Sequence, residues 1–287
     1  MAIYSLRLLP VGKTTQRQPY TAAAHIRYIM RGGAVSHHMA ARMPGSAREA
    51  IRWMRAEERA DRKNARVADK LVLALPIELT PQQQAELVWS FAEALTQGRA
   101  SWFAAIHANG KDQKNPHCHL LVRDRDVATG ERVVMFSAGT KEIKLRAHRG
   151  QRPPTTLKMI RELWASHANV ALEGAGRRER IDHRRLIEQG EFRPAQVHEG
   201  PNVRAMHGRG VRPVSKERVV RNPAIRRKGM PATRVVAYGE IDQGLSRVEY
   251  NATLKDAPEL SLTEILAREA RSAPVRRPSR ENGGRGR

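Results

Sequence analysis

The sequence predicts an α+β protein with a basic tail, and three observations carry that expectation. Short runs with strand-like alternation or β-rich apolar content, such as residues 2–9 and KLVLALP, are interspersed with longer runs whose apolar residues recur at helical spacing. Two strand-like runs, HCHLLVRDR and ERVVMF, flank Thr129-Gly130 and read as a hairpin, so at least that pair is expected to be antiparallel. From about Pro201 apolar periodicity fades and arginine-rich stretches (RRKG, RRPSR, GGRGR) accumulate. Residues 1–200 are therefore expected to form the folded domain. Residues 201–287 are expected to be a largely disordered basic tail with a short helix near 261–271, capped by Ser261 or Thr263.

The elements follow in order. In residues 2–9, Ala2, Tyr4, Leu6 and Leu8 share one face while Ser5 and Arg7 take the other, the pattern of a half-buried strand. A loop follows, then TAAAHIRYIMRGG, where alanines favour helix and Gly32-Gly33 stops it. Ser46 with Glu49 three residues later forms a capping box for a helix through IRWMRAEERADRKNARV. KLVLALP reads as a short strand ended by Pro76. Thr80 with Gln83 is a second capping box, and Pro81 suits the first helical position. SWFAAIH is a strand, NGKDQKN a loop and HCHLLVRDR the next strand. A helix over residues 155–172 is ended by Gly174 and Gly176.

The formal net charge is +23, which favours a polyanionic partner, nucleic acid before membrane or ribosome. A single cysteine, Cys118, excludes an intramolecular disulfide. MAIYSLRLLP is too short and polar for a secretory leader, and no run approaches the ~20 apolar residues of a membrane span. A cytoplasmic protein without membrane insertion is expected.

Residues two apart on a strand face the same way, so His117 and His119 point to one side and Cys118 to the other. His107 closes the neighbouring strand and falls beside that pair if the two strands are hydrogen-bonded. Three neutral imidazoles with open positions suit a divalent cation used as a Lewis acid. His37-His38 is a rival pair, but it lies in a loop-like Gly/Ser context, and adjacent side chains converge poorly on one ion. In a basic protein such a cation points to phosphodiester chemistry, with water or a tyrosine as nucleophile. Of five tyrosines, Tyr4 is expected in the core and Tyr238 and Tyr250 in the tail, which leaves Tyr20 and Tyr28.

These residues resemble the MobA/MobL relaxases, which start the conjugative transfer of plasmids. The resemblance covers roughly residues 1–206. It runs through MAIYSLRLLP, RYIMRGG, AEERADRKNARVADKLVLALPIELT and AIHANGKDQKNPHCHLLV, then WASHANVALEGAGRRERIDHRRLIEQG followed by GPNV. It implies an antiparallel β-sheet flanked by helices, the fold of the His-hydrophobe-His endonucleases. It also implies an enzyme that nicks one strand at the origin of transfer, stays attached through a 5′-phosphotyrosine and later rejoins the strand. His107, His117 and His119 would then hold Mg²⁺ or Mn²⁺ and Tyr28 would attack, with His25 and Tyr20 as alternative nucleophiles. Expected partners are single-stranded or supercoiled plasmid DNA at the origin of transfer, relaxosome accessory proteins, a coupling protein and a type IV secretion system. The protein itself would pass through that channel with the DNA.

The chain departs from the pattern in one place. The family often carries two glutamates on alternate positions before ALP; here they are Lys70 and Val72. Glu78 in PIELT matches the family and is a candidate acidic assistant, as is Asp69, so the general base stays open. Arg7, Arg31, Lys111 and Lys114 are candidate phosphate contacts. A rolling-circle replication initiator and a non-cleaving DNA-binding relative are the alternative readings.

Overall fold

The structure is a computed structural model. It describes residues 4–13, 22–110, 113–134, 157–192, 196, 199–212, 218–221, 233–236, 245–254 and 261–264. The chain divides into two compact units, Met1–His183 and Arg184–Arg287.

The first unit is built on a five-stranded sheet. Its strands are β1 (Leu6–Gly12), β2 (Val35–Ala41), β3 (Arg66–Ala74), β4 (Ala100–His107) and β5 (His117–Asp126). Their spatial order is β1-β3-β5-β4-β2, and every neighbouring pair is antiparallel. Among the described residues four helices cover it: α1 (Ala22–Ile29), α2 (Ala47–Ala60), α3 (Pro81–Thr96) and α4 (Leu157–Gly174).

The period-2 alternation of the strands divides the helices between the two faces. Leu71, Leu73, Trp102, Ala104, Ile106, Cys118, Leu120 and Val122 form one face. On it lie Leu87, Val88, Phe91 and Leu95 of α3 with Ile160, Trp164, Ala168 and Leu172 of α4. Phe91 and Trp164 meet edge to face at 5.0 Å between ring centroids, a favourable aromatic geometry. The opposite face presents Phe103, Ala105 and Leu121 to Ala22, Ala23, Ile26 and Ile29 of α1 and to Ala50 and Met54 of α2.

Both helix starts sit where the sequence places them, the box at Thr80 reciprocal and the one at Ser46 made from the hydroxyl side only. The Ser46 hydroxyl accepts from Glu49 N–H at the start of α2. Thr80 and Gln83 satisfy each other's backbone donors at the start of α3, with Pro81 opening the helix. Three expectations change. The helix expected through ARV ends at Ala60, capped at Asp61, because Arg66–Ala74 is taken up by β3. The segment around His37-His38 is strand β2 rather than loop. It is an edge strand held by backbone pairing to β4, so it needs no alternating apolar pattern, and a register shift between Val35 and His37 blurs what alternation it has. Of the hairpin expected after β5, Thr129-Gly130 turns the chain as expected; the described part of the second arm has isolated bridge residues at Arg132, opposite Arg125, and at Val134, with Val133 N–H donating to Asp124 C=O, and Met135 and Phe136 lie outside the described residues.

In the second unit the described elements are a 3₁₀ turn at Leu186–Gln189, α5 (Gly200–Gly208), the antiparallel pair β6 (Arg218–Arg221) and β7 (Thr233–Val236), and α6 (Arg247–Thr253). Ser261 caps residues 262–264 through Glu264 N–H; the rest of the helix expected over 261–271 lies outside the described residues. Among the described residues no helix is long and apolar enough to cross a membrane.

Candidate active site

The register of three strands builds the site. His107, the last residue of β4, pairs directly with His117, the first of β5. His119 lies two residues along on the same face, flanked by Ala105 and by Val72 of β3. The three rings stand 4.6 to 5.1 Å apart between centroids. One ring nitrogen from each comes within 4.8 Å of the other two, and this is the one metal-competent cluster among the described residues. Cys118 points to the opposite face, fully buried, and its thiol is pushed far up by burial.

Hydrogen bonding fixes the tautomers of two of these rings. A carbonyl oxygen can only accept, so a ring nitrogen bonded to one must carry the proton. His107 Nε2 donates to Ile29 C=O at 2.6 Å, which leaves a lone pair on Nδ1. His117 Nδ1 donates to Asn115 C=O at 2.9 Å, which leaves a lone pair on Nε2. Nδ1 of His119 is buried with no hydrogen-bond partner. Burial first, then the His107, His117, Lys70 and Arg31 charges, hold the His119 imidazole down at about 3, so it is neutral at physiological pH. Three imidazoles, two of them oriented by backbone carbonyls, are the donor set a divalent first-row cation or Mg²⁺ with retained waters can use. The residues present fit such an ion.

Helix α1 lies on the histidine face and brings Tyr28 to it. Ala22, Ala23, Ile26 and Ile29 point into the core, which leaves Tyr28 in the last turn 56% exposed. Its ring meets the edge of His119 at 6.5 Å between centroids. The Arg31 guanidinium stands 4.8 Å from the ring centre and the Lys70 ammonium 5.8 Å. Gly33 at φ +79 turns the chain out of α1 in a conformation that favours glycine. The β4–β5 loop docks there. Asn109 Nδ2 donates to Val35 C=O, and a Cβ on Gly110 would come to 3.4 Å from Gly33 C=O.

The other expected residues fall as follows. His25 lies one turn before Tyr28, half-buried; burial and then Lys70 lower it to about 4. Tyr20 and Lys111 lie outside the described residues. Arg7 is exposed on the histidine face of β1, opposite Val72, and Lys114 is exposed in the β4–β5 loop. Glu78 is half-buried in the turn after β3, four residues beyond Ala74, the partner of His117. Asp69 is turned away from the histidines. It is opposite Val122 and so points to the other face, where Arg66 bonds it; burial nonetheless raises its carboxyl to about 6. Tyr4 is half-buried against the core, and burial raises its phenol to about 12.

Two features of the site were not read from the sequence. The first is the carbonyl of Ile29 as the orienting partner of His107, a contact between residues 78 apart. The second is the histidine face of β3. Its signal was present: Lys70 and Val72 have the parity that a register of ALP against HCH would bring beside His119.

The model of the MobA/MobL family matches residues 18–209, well over half of the chain. Mobilization protein A of Escherichia coli is 39% identical over 228 residues, 74% of this chain and 31% of that protein. The probable mobilization protein MobA of Bifidobacterium longum (strain NCC 2705) is 31% identical over 181 residues, 52% of this chain and 31% of that protein. The 43 kDa relaxation protein of Salmonella typhimurium is 28% identical over 213 residues, 66% of this chain and 56% of that protein. The chain thus spans about a third of the length of the first two relatives. With the family model matched through both the tyrosine helix and the histidine strands, this chain belongs to the MobA/MobL family.

Proposed function

We infer that this chain is a conjugative relaxase, a site- and strand-specific DNA endonuclease and strand transferase acting at a plasmid origin of transfer. The observation that carries the reading is Tyr28, exposed at the end of α1 and edge-on to His119 of an imidazole trio. A tyrosine hydroxyl open to solvent beside a cation-competent cluster is the arrangement that phosphodiester transesterification needs.

The Tyr28 hydroxyl attacks the phosphorus of one linkage. The P–O3′ bond breaks with its electron pair on O3′, and the 5′ side is left as a phosphotyrosine. The phenolic proton passes to water, and water returns one to O3′. Attack by a 3′-hydroxyl on the phosphotyrosine reverses the step and rejoins the strand. His107, His117 and His119 would hold a Mg²⁺ or Mn²⁺, which would supply Lewis acidity to the phosphate. His25 is the second candidate nucleophile, but an imidazole held at about 4 by burial and Lys70 is a weak base with little drive to attack. Arg7, Arg31 and Lys114 hold phosphates flanking the nick. In the cell the protein acts on plasmid DNA in the bacterial cytoplasm with relaxosome accessory proteins. A coupling protein then hands it, with the DNA, to a type IV secretion channel.

One observation favours a non-cleaving relative instead: Lys70 and Val72 put no carboxylate on β3 beside His119. The test separates the two. The chain is incubated with Mn²⁺ and single-stranded DNA from the origin of transfer, and denaturing gels are read for a covalent adduct. The relaxase reading expects an adduct that disappears in Tyr28→Phe. Specific binding with no adduct under any divalent cation would replace it with the non-cleaving one.

A further inference from the structure

Two cations stand on the histidine face of the central strands β3 and β5 near the site: Arg123 is ion-paired with Glu57 and Asp61, while no anion answers Lys70 among the described residues. Lys70 sits in β3 between Leu9 and Leu121, one step along the ladder from Val72, the direct partner of His119. Only 8% of it is exposed. It makes no hydrogen bond and no ion pair among the described residues, and burial, followed by the Arg7 charge, lowers its pKa. A buried ammonium facing another cation is unfavourable in the free protein and becomes favourable when an anion enters. Its reach says where that anion binds. Lys70 Nζ, the Arg31 guanidinium and the His119 ring approach the same side chain, Tyr28. An anion drawn to Lys70 therefore lies against Tyr28.

We propose that Lys70 is a catalytic residue of strand transfer: its ammonium donates a hydrogen bond to a non-bridging oxygen of the phosphate that Tyr28 attacks. The proposal rests on the relaxase reading and deepens it. Negative charge on the non-bridging oxygens grows as the Tyr28 oxygen bonds to phosphorus and O3′ departs. A fixed ammonium in a desolvated place stabilises that charge without reorganising. Lys70 keeps its proton throughout, so it adds nothing to the proton balance. A β3 of this kind puts a cation where a carboxylate would repel the phosphate, and transfer proceeds with water as proton acceptor.

The test uses the full chain and an oligonucleotide spanning the nick that wild-type protein maps. Lys70→Met is expected to fold, since it places an apolar side chain of similar length among Leu9 and Leu121, and to slow single-turnover cleavage ~10²-fold. Lys70→Arg, which keeps the charge, should stay within roughly tenfold of wild type. The second readout needs neither cation nor cleavage: affinity in EDTA for the same oligonucleotide with a native or a methylphosphonate linkage at the nick. Wild type should lose about tenfold on neutralising that one phosphate, and Lys70→Met should lose no more on top of its own deficit. A structural role would not produce that non-additivity. Wild-type cleavage rates in Lys70→Met, with the full methylphosphonate penalty retained, would overturn the Lys70 assignment and leave the relaxase reading standing. Absence of any adduct from wild type would sink both. Should Lys70→Met fail to fold, a wild-type protein indifferent to the methylphosphonate would overturn the assignment by itself.

Discussion

His107 Nε2 is bonded to the backbone carbonyl of Ile29, the residue that follows Tyr28. One of the three imidazoles is thereby tied to the helix that carries the candidate nucleophile, so the position of the ring and the position of the phenol are set together. A partner outside the ligand set that orients a ligating histidine tunes both its tautomer and its aim.

That tie predicts unequal costs within the trio. His107 is fully buried, so His107→Ala removes a packed ring and strands the Ile29 carbonyl. It should destabilise the chain by about 2–4 kcal/mol in urea titration. His117→Ala, at a half-buried position, should cost under about 1 kcal/mol. Both should weaken Mn²⁺ binding at least ~10-fold by calorimetry. Equal stabilities for the two variants would contradict the tie.

The low value of His119, about 3, predicts a pH dependence in metal-free protein. An unfolded histidine titrates near 6.5, so between about pH 3 and 6.5 the unfolded chain binds a proton that the folded one refuses. Stability rises with pH through that window and is lost as pH falls. His25, at about 4, acts in the same direction, while Asp69, raised to about 6, acts oppositely above its ordinary value. His119→Gln isolates the term: in EDTA its unfolding free energy from urea titration should fall less than that of wild type between pH 7 and pH 4, by an amount on the order of a few kcal/mol. Parallel curves would refute it.

Arg42 holds the end of β2 to the rest of the sheet. It takes a left-handed backbone, φ 55, and its guanidinium donates to both Glu93 oxygens and to Ala100 C=O. Glu93 also accepts from Trp102 Nε1 at 2.7 Å. Arg42→Ala leaves that carboxylate with one fewer cation beneath helix α3, and a loss of about 2 kcal/mol is expected by thermal or urea unfolding. Arg42→Gly should recover part of it by relieving the backbone. A change below about 0.5 kcal/mol in Arg42→Ala would show the clip to be idle.

Arg7 faces the open side of β1, level with Val72 and His119. Arg7→Ala should weaken binding of origin DNA uniformly across sequences and lower the slope of log affinity against log salt by about 1. Fluorescence anisotropy over a salt series measures this. An unchanged slope would place Arg7 away from the DNA.

The parts of the fold that the sequence made legible are those set by local chemistry. Ser46 with Glu49 and Thr80 with Gln83 announce helix starts because the side chains that satisfy the first backbone donors are a few residues away. His117 and His119 announce a shared face because strand parity is a property of neighbours. What stayed hidden depends on distant pairing. β2 has no alternation of its own and exists because β4 supplies its hydrogen bonds. Asp69 and Lys70 are adjacent in sequence, and only the register against β5 shows that the lysine faces the histidines while the aspartate faces away. The second arm after Thr129 looked like a strand because VVMF is β-rich; its described residues, through Val134, make isolated bridges and backbone hydrogen bonds to Asp124 rather than a regular ladder.

The central claim is that Tyr28 becomes covalently joined to DNA when the imidazole trio holds a divalent cation. The direct measurement is mass spectrometry of the nuclease-trimmed adduct formed with Mn²⁺ and origin DNA. The account predicts a 5′-phosphotyrosyl nucleotide on the peptide carrying Tyr28, absent in EDTA and absent when His117 and His119 are both alanine. A nucleotide found on Tyr20 or His25, or the Tyr28 adduct forming at full yield without the two histidines, would contradict it.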